Sequence, residues 1–221
     1  MTPPLLSADV LQPAVRLTNV TKVFGAHTAV DQLSLAVPRG CTYGFIGPNG
    51  SGKTTTIRTI LHIFHPDSGE VEVLGERSTR AANDRIGYLP EERGLYKKMT
   101  VRRVLAYYAS LKGMTRAATA QATTHWLTKM GLSEWADKKV EALSKGMAQK
   151  IQFISAVIAK PELLILDEPF SGLDPVNLEV LRAAILELRA AGTTVIFSTH
   201  DMAMAETMCD FIFMIYRGRK V

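Results

Sequence analysis

Cysteine is scarce in this chain: Cys41 and Cys209 are the only two among 221 residues, and they lie far apart. That argues against a disulfide framework or a cysteine-based metal cluster and fits a reducing compartment. Long apolar runs are missing as well, since nothing approaches the ~18 residues that a bilayer-spanning helix needs. The N-terminus carries Leu5-Leu6 but no basic residue before Arg16, which makes it a poor secretory signal. The expectation is a protein soluble by itself that reaches a membrane only through a partner. No charge of one sign is massed. The net charge of +5 comes from dispersed lysines and arginines, so it does not argue for nucleic acid. No internal repeat or low-complexity tract occurs. Hydrophobic and charged fractions of 47% and 21% are ordinary for a globular protein. The length allows one sizeable core or two small subdomains.

Against these absences, residues 47–55 stand out: Gly47-Pro48-Asn49-Gly50-Ser51-Gly52-Lys53-Thr54-Thr55. They satisfy G-x-x-x-x-G-K-[ST], the phosphate-binding loop of nucleotide-hydrolysing proteins. A triphosphate needs many N–H donors at close range. Gly47, Gly50 and Gly52 let the backbone wrap tightly because they carry no Cβ. A helix opening near Gly52 turns the positive end of its dipole on the phosphates. Lys53 supplies a cation for the β- and γ-phosphates, and the Thr54 hydroxyl can ligate Mg²⁺. Average residue usage gives such a match by accident in roughly one chain of this size in a hundred. The context lowers that further. Cys41–Ile46 reads as a short buried strand before the loop. Ile57, Ile60, Leu61 and Phe64 follow it at helical spacing.

Residues 1–13 carry three prolines and read as a loose leader. Residues 14–46 read as strands and turns, with Leu33, Leu35 and Val37 alternating cleanly. Further strands are expected over Gly69–Gly75 and Arg85–Leu89, the latter stopped by Pro90. Thr100 suits a helix N-cap, with Val101, Val104, Leu105, Tyr108 and Leu111 as the apolar stripe behind it. Residues 100 to about 158 read as wholly helical, broken near Gly113-Met114 and Gly131, and form an inserted subdomain. The α/β pattern returns at Leu163. Leu163–Leu166 and Thr193–Phe197 are apolar runs typical of buried parallel strands. Between them a helix runs from Pro175 to about Ala191, with Asp174 as N-cap. The fold class expected is α/β, with a parallel-sheet core flanked by an N-terminal antiparallel β part and an inserted helical part.

Leu163–Leu166 leads directly into Asp167-Glu168-Pro169. Ligands of open parallel sheets sit beyond the C-terminal ends of strands. Asp167 is thereby a candidate to hold Mg²⁺ directly or through water, and Glu168 to orient or deprotonate an attacking water.

At this point the chain resembles the ATP-binding subunit of an ABC (ATP-binding cassette) transporter, from about Ala14 to the end. Ser171-Gly172-Leu173-Asp174 is similar to the family's D-loop at the dimer interface. His200, after the strand ending at Ser198-Thr199, is similar to its switch histidine, which contacts the γ-phosphate. Phe24 falls on the aromatic position that stacks on adenine, where a π-face suffices. Leu143-Ser144-Lys145-Gly146-Met147 is similar to the family signature, usually Leu-Ser-Gly-Gly-Gln. Ser144 would cap the helix starting near Gly146. The resemblance implies ATP and Mg²⁺ as ligands and a head-to-tail pair of subunits, the expected pair being a homodimer. Ser144 and Gly146 of one copy would serve the phosphate held by Lys53 of the other, with Asp174 at the shared interface.

Three positions depart from the family pattern. Lys145 and Met147 replace Gly and Gln, while Ser144 and Gly146 keep the hydroxyl and the close backbone approach. Glu91, in Tyr88-Leu89-Pro90-Glu91, stands where the family carries a Gln that links the Mg²⁺ site to the membrane partner. Glu can still ligate the metal. The stretch Tyr88–Tyr96 and Leu143-Ser144-Lys145-Gly146 are similar to ATPases serving ABC-2-type permeases, including sodium-efflux-type exporters. Those subunits run longer, so the end at Val221, just into a hairpin after a strand over 211–216, leads us to expect a truncated chain without the C-terminal domain. The implied function is an Mg-dependent ATPase driving an exporter. It would sit in the cytoplasm, peripheral on the inner face of the membrane through its permease, with no nucleic-acid partner. A soluble ABC ATPase of nucleic-acid or ribosome metabolism is the alternative. Such proteins usually carry two cassettes or a long coiled-coil insertion, and this chain has one cassette and no room for such an arm. A phosphate-loop kinase or GTPase fits less well, because Ser144 and His200 have no place there and no element for reading guanine is recognisable.

Overall fold

The computed structural model describes residues 12–77, 82–92 and 94–221. Of the expected leader only Gln12 and Pro13 fall among them, and Arg93 lies outside them. The chain forms two compact units, Met1–Asn83 with Arg189–Val221, and Asp84–Leu188.

The first unit holds two sets of strands. β1 (Val15–Phe24), β2 (His27–Val37) and β4 (Ser68–Val73) make an antiparallel sheet in the order β2-β1-β4. Leu33, Leu35 and Val37 on β2 are buried in strict alternation, as are Val15 and Leu17 on β1, where an irregularity after Leu17 shifts the next buried residue to Val20. β3 (Thr42–Ile46) pairs in parallel with β7 (Thr194–Thr199) on one side and β8 (Phe211–Tyr216) on the other. The short β9 (Arg219–Lys220) turns back antiparallel on β8, which is the expected terminal hairpin. Every residue of β3 and β7 is buried, so both strands read as continuous apolar or small-residue runs.

α1 (Lys53–Ile60) follows β3 through the phosphate loop, and α6 (Met202–Met208) follows β7. α1 is shorter than the apolar spacing suggests. Leu61 closes it and His62 takes a left-handed φ of 52°. The N–H groups of Ile63 and Phe64 both turn back onto the Arg58 carbonyl, satisfying an orphan acceptor of the last turn. Phe64 therefore lies beyond the helix.

The second unit is built on a parallel pair, β5 (Ile86–Leu89) and β6 (Leu163–Asp167), in register from Ile86 opposite Leu163 to Leu89 opposite Leu166. Its helices are α2 (Val101–Leu111), α3 (Arg116–Lys129), α4 (Lys145–Val157) and most of α5 (Pro175–Ala190). Thr100, Thr115 and Ser144 each accept the N–H three residues on, the reason these three helices start where they do. The stripe on α2 ends early: Val101, Val104 and Leu105 are buried, whereas Leu111 is exposed. Between Met130 and Ser144 the chain is not α-helical. Gly131 takes a φ of 67°, and only two single tight turns follow, at Ser133–Trp135 and Val140–Ala142. Trp126 and Phe153 meet edge to face at 5.9 Å and tie α3 to α4. The buried Lys150 ammonium donates to the Met130 carbonyl at 2.8 Å, and burial pulls its pKa down.

Gly87 shows how closely β5 packs on α4. A Cβ there would lie 2.2 Å from the Ala156 carbonyl oxygen, a backbone atom at the helix end. Gly87→Ala is expected to destabilise this unit by about 1–3 kcal/mol, the range for overpacking in a close-packed interior. Urea unfolding of the purified variant measures it, and an unchanged midpoint would refute the packing assignment.

Candidate functional site

Each unit carries one cluster of the residues singled out from the sequence. In the first, the phosphate loop leaves the end of β3 and enters α1 at Lys53. Gly50 and Gly52 take φ of 77° and 107°, left-handed conformations that glycine adopts without a Cβ penalty. Close approach matters as much. A Cβ on Gly47 would stand 2.2 Å from the Ile215 carbonyl oxygen, and one on Gly52 would stand 2.5 Å from that of Ala29. The loop is closed on itself by Ser51 N–H donating to the Pro48 carbonyl at 3.1 Å. It is braced by Gly218 N–H donating to the Ser51 carbonyl at 2.8 Å. Pro48, Asn49 and Gly50 are exposed at its tip, and Thr54 and Thr55 are half-buried in the first turn of α1.

The Lys53 side chain folds back over the loop. Its ammonium donates to the Gly47 carbonyl at 2.6 Å and to that of Pro48 at 3.3 Å, and the residue is 6% exposed. The Ser51 hydroxyl is buried without a hydrogen-bond partner among the described residues. A narrow backbone ring, a buried hydroxyl and a cation held in the loop suit a polyphosphate.

Two further residues of this unit belong to the cluster. β3 and β7 run parallel with Ile46 opposite Thr199, so the phosphate loop and His200 leave the same edge of the sheet side by side. His200 is exposed there. Phe24 ends β1 and is 44% exposed, so it is not a core residue. Phe64 meets it edge to face at 5.2 Å, and the Lys22 ammonium lies 5.4 Å from its ring centre. The carboxylate of Asp67 fixes this corner, accepting from Val23 N–H at 2.6 Å and from Lys22 at 3.1 Å. Those bonds, the backbone one first, hold the Asp67 pKa below its ordinary value.

In the second unit the parallel register places the ends of β5 and β6 together, and with them the turns carrying Glu91 and Asp167-Glu168. Asp167 is buried as the last residue of β6. Glu168 takes a left-handed φ of 50°, unusual for a residue with a side chain. Beside these acids lies the start of α4. A cavity of about 260 Å³ is bounded by Glu91, Asp167, Glu168, Lys145, Gln149 and Ser171, among others. The carboxylates offer the hard oxygen donors that Mg²⁺ prefers, so the donor set fits that metal.

Ser144 is exposed, and its hydroxyl accepts from Met147 N–H at 3.3 Å, which leaves its O–H for another acceptor. α4 begins at Lys145, one residue earlier than expected. A Cβ on Gly146 would stand 3.1 Å from the Asn177 amide nitrogen, so the start of α4 packs against the start of α5. Asp174 caps α5 by accepting from Asn177 N–H at 3.0 Å and from its side-chain amide, and these bonds lower its pKa. Lys145 reaches across to Gly172, where a Cβ would come within 2.6 Å of its ammonium. Gln149 and Gln152 were not singled out from the sequence. They follow Lys145 at helical i+4 and i+7 spacing, a polar stripe on a helix whose other residues are mostly apolar.

A phosphate loop between a buried parallel strand and a helix, with strand-end acids in the same chain, defines a nucleotide-binding α/β protein of the phosphate-loop class. Comparison with known proteins narrows this. The family model described as ABC transporter matches residues 30–171, and an AAA-domain model matches residues 138–205. An uncharacterised ABC transporter ATP-binding protein of Bacillus subtilis is 47% identical over 205 residues, 93% of this chain and 69% of its own length. The Nod factor export ATP-binding protein I of Sinorhizobium fredii is 37% identical over 98% of this chain and 64% of its own length. The linearmycin resistance ATP-binding protein of Bacillus subtilis is 35% identical over 92% of this chain and 66% of its own. A solved ATP-binding subunit of an ABC transporter superposes with a TM-score of 0.87 at 29% identity, covering 94% of this chain and 88% of that one. The chain belongs to the ATP-binding subunits of ABC transporters. Among the described residues no helix is long and apolar enough to cross a membrane.

Proposed function

We propose that this chain is the ATP-hydrolysing motor of an exporter, acting as a head-to-tail homodimer beneath a membrane permease on the cytoplasmic face. The observation that carries it is the ring around Lys53. Gly47 and Gly52 are so tightly enclosed that no side chain fits. A buried lysine ammonium is held in that ring beside a buried serine hydroxyl that has no partner among the described residues. The α/β class and the ABC family membership support ATP as the substrate. The Nod factor export named for the relative at 37% identity supports the direction of transport.

The roles follow from side-chain chemistry. Lys53 places positive charge on the β- and γ-phosphates, and loop N–H groups bind their oxygens. Phe24 stacks on adenine with its exposed face. Thr54, Asp167 and Glu91 are the oxygen ligands suited to Mg²⁺, which when bound neutralises phosphate charge. Glu168 orients a water and accepts its proton. His200 donates to the γ-phosphate. Ser144 and Gly146 present the start of α4 to the nucleotide of the second copy, with Asp174 at the interface between copies.

A site completed by a second copy makes turnover depend on encounter. Phosphate release from MgATP, measured over a hundredfold range of protein concentration, is expected to show a rate per subunit that rises with concentration and then levels off. A rate per subunit independent of concentration would remove the dimeric mechanism. No release at any concentration would remove the ATPase.

A further inference from the structure

The stripe Lys145, Gln149, Gln152 does more than face a cavity. Gln149 is 8% exposed, and its side-chain N–H donates to the Pro169 carbonyl. Gln152 donates to the Glu92 carbonyl at 3.1 Å. The two glutamines therefore bind α4 to both acid-bearing turns, one after β6 and one after β5. Pro169 directly follows Glu168, whose left-handed backbone is strained and persists only where its surroundings hold it. The Ser171 N–H to Glu168 carbonyl bond of 3.2 Å closes the turn from one side. The Gln149 amide holds it from the other.

The far atom of the same amide is equally informative. Only a donor can face the Pro169 carbonyl, so the other atom is the oxygen. That Oε1 is buried and has no hydrogen-bond partner among the described residues. A buried acceptor left unmet is costly, so this one calls for a donor. Gln149 borders the cavity that Glu91, Asp167 and Glu168 share, which is polar and roomy enough for water.

We propose that Gln149 is a positioning residue for Glu168: its N–H on the Pro169 carbonyl fixes the turn that aims the carboxylate, and its Oε1 accepts from a water of the same cavity. This rests on the ATPase reading above and adds a residue to it. The geometry also has a consequence for coupling. Gln149 stands one turn along α4 from Ser144 and Lys145, so a displacement of the helix start reaches the Glu168 turn through a single amide.

The test compares wild type, Glu168→Gln, Gln149→Met and Gln149→Glu in MgATP hydrolysis, with ATP affinity and melting temperature measured alongside. Gln149→Met keeps the length and loses both hydrogen bonds. It is expected to lower kcat about tenfold or more with KM changed less than about threefold. Gln149→Glu keeps the shape but sets a carboxylate against the Pro169 carbonyl, so it is expected to lower kcat at least as far as Gln149→Met, with ATP affinity near wild type. A packing role would leave this isosteric variant near wild-type kcat. Wild-type kcat in either Gln149→Met or Gln149→Glu overturns the proposal. If Gln149→Met fails to fold, the kcat of Gln149→Glu decides. Wild type inactive on MgATP would instead sink the ATPase reading, and inactive Glu168→Gln beside wild-type-like Gln149→Met would sink this inference alone.

Discussion

Lys53→Ala should abolish measurable ATP binding while leaving the fold intact. The ammonium already sits within the loop, bonded to the Gly47 and Pro48 carbonyls, so the loop is shaped around a positive charge. Charge-assisted hydrogen bonds contribute about 1.5–3 kcal/mol each. Losing even two to phosphate oxygens corresponds to an affinity loss of order 100-fold or more. The alanine also leaves both carbonyls facing the anion without a cation between them, which adds repulsion. Titration with a fluorescent ATP analogue measures the effect, and a thermal melt checks that the protein is folded. Affinity within about threefold of wild type would take the triphosphate out of this loop.

The second large effect concerns Glu168. Glu168→Gln keeps shape and hydrogen bonding but cannot accept a proton at neutral pH. General-base contributions are typically 10²–10⁴-fold, so turnover should fall by at least about 100-fold while ATP affinity stays near wild type. With binding intact and hydrolysis blocked, the nucleotide-joined pair should accumulate. Gel filtration in MgATP is then expected to show a dimer for the variant and mostly monomer for wild type. Wild-type turnover in Glu168→Gln would remove this carboxylate from the chemistry. A variant that neither hydrolyses ATP nor dimerises would separate hydrolysis from assembly and refute the head-to-tail pair.

Much of this architecture was legible because buried parallel strands and phosphate loops have strong local signatures. The five-residue β3 and β6 could be read directly from apolar runs bounded by Gly47 and by Asp167. Thr100 and Asp174 marked their helices because capping depends on a few adjacent residues. What eluded the sequence depends on contacts remote in the chain or on backbone choices that spacing does not encode. Phe64 kept the helical period of α1, yet the turn at His62 ended the helix first. Leu111 continued the stripe of α2 but reaches solvent. The helical pattern expected to resume after the break near Gly131 gives only single turns before Ser144. At the site, residue types announced Lys53, Asp167 and Glu168. Gln149 acquires its interest only from the Pro169 carbonyl twenty positions away, and no motif flags that pairing.

The Ala29 carbonyl lies 2.5 Å from where a Cβ on Gly52 would be and 2.8 Å from where one on Gly218 would be. One oxygen of β2 thus forbids a side chain at two places distant in sequence, at the mouth of α1 and in the closing hairpin. Neither glycine can be relieved by mutating the other, because the obstacle is main chain. A shift of β2 at Ala29 would therefore press at once on the phosphate loop and on the closing hairpin.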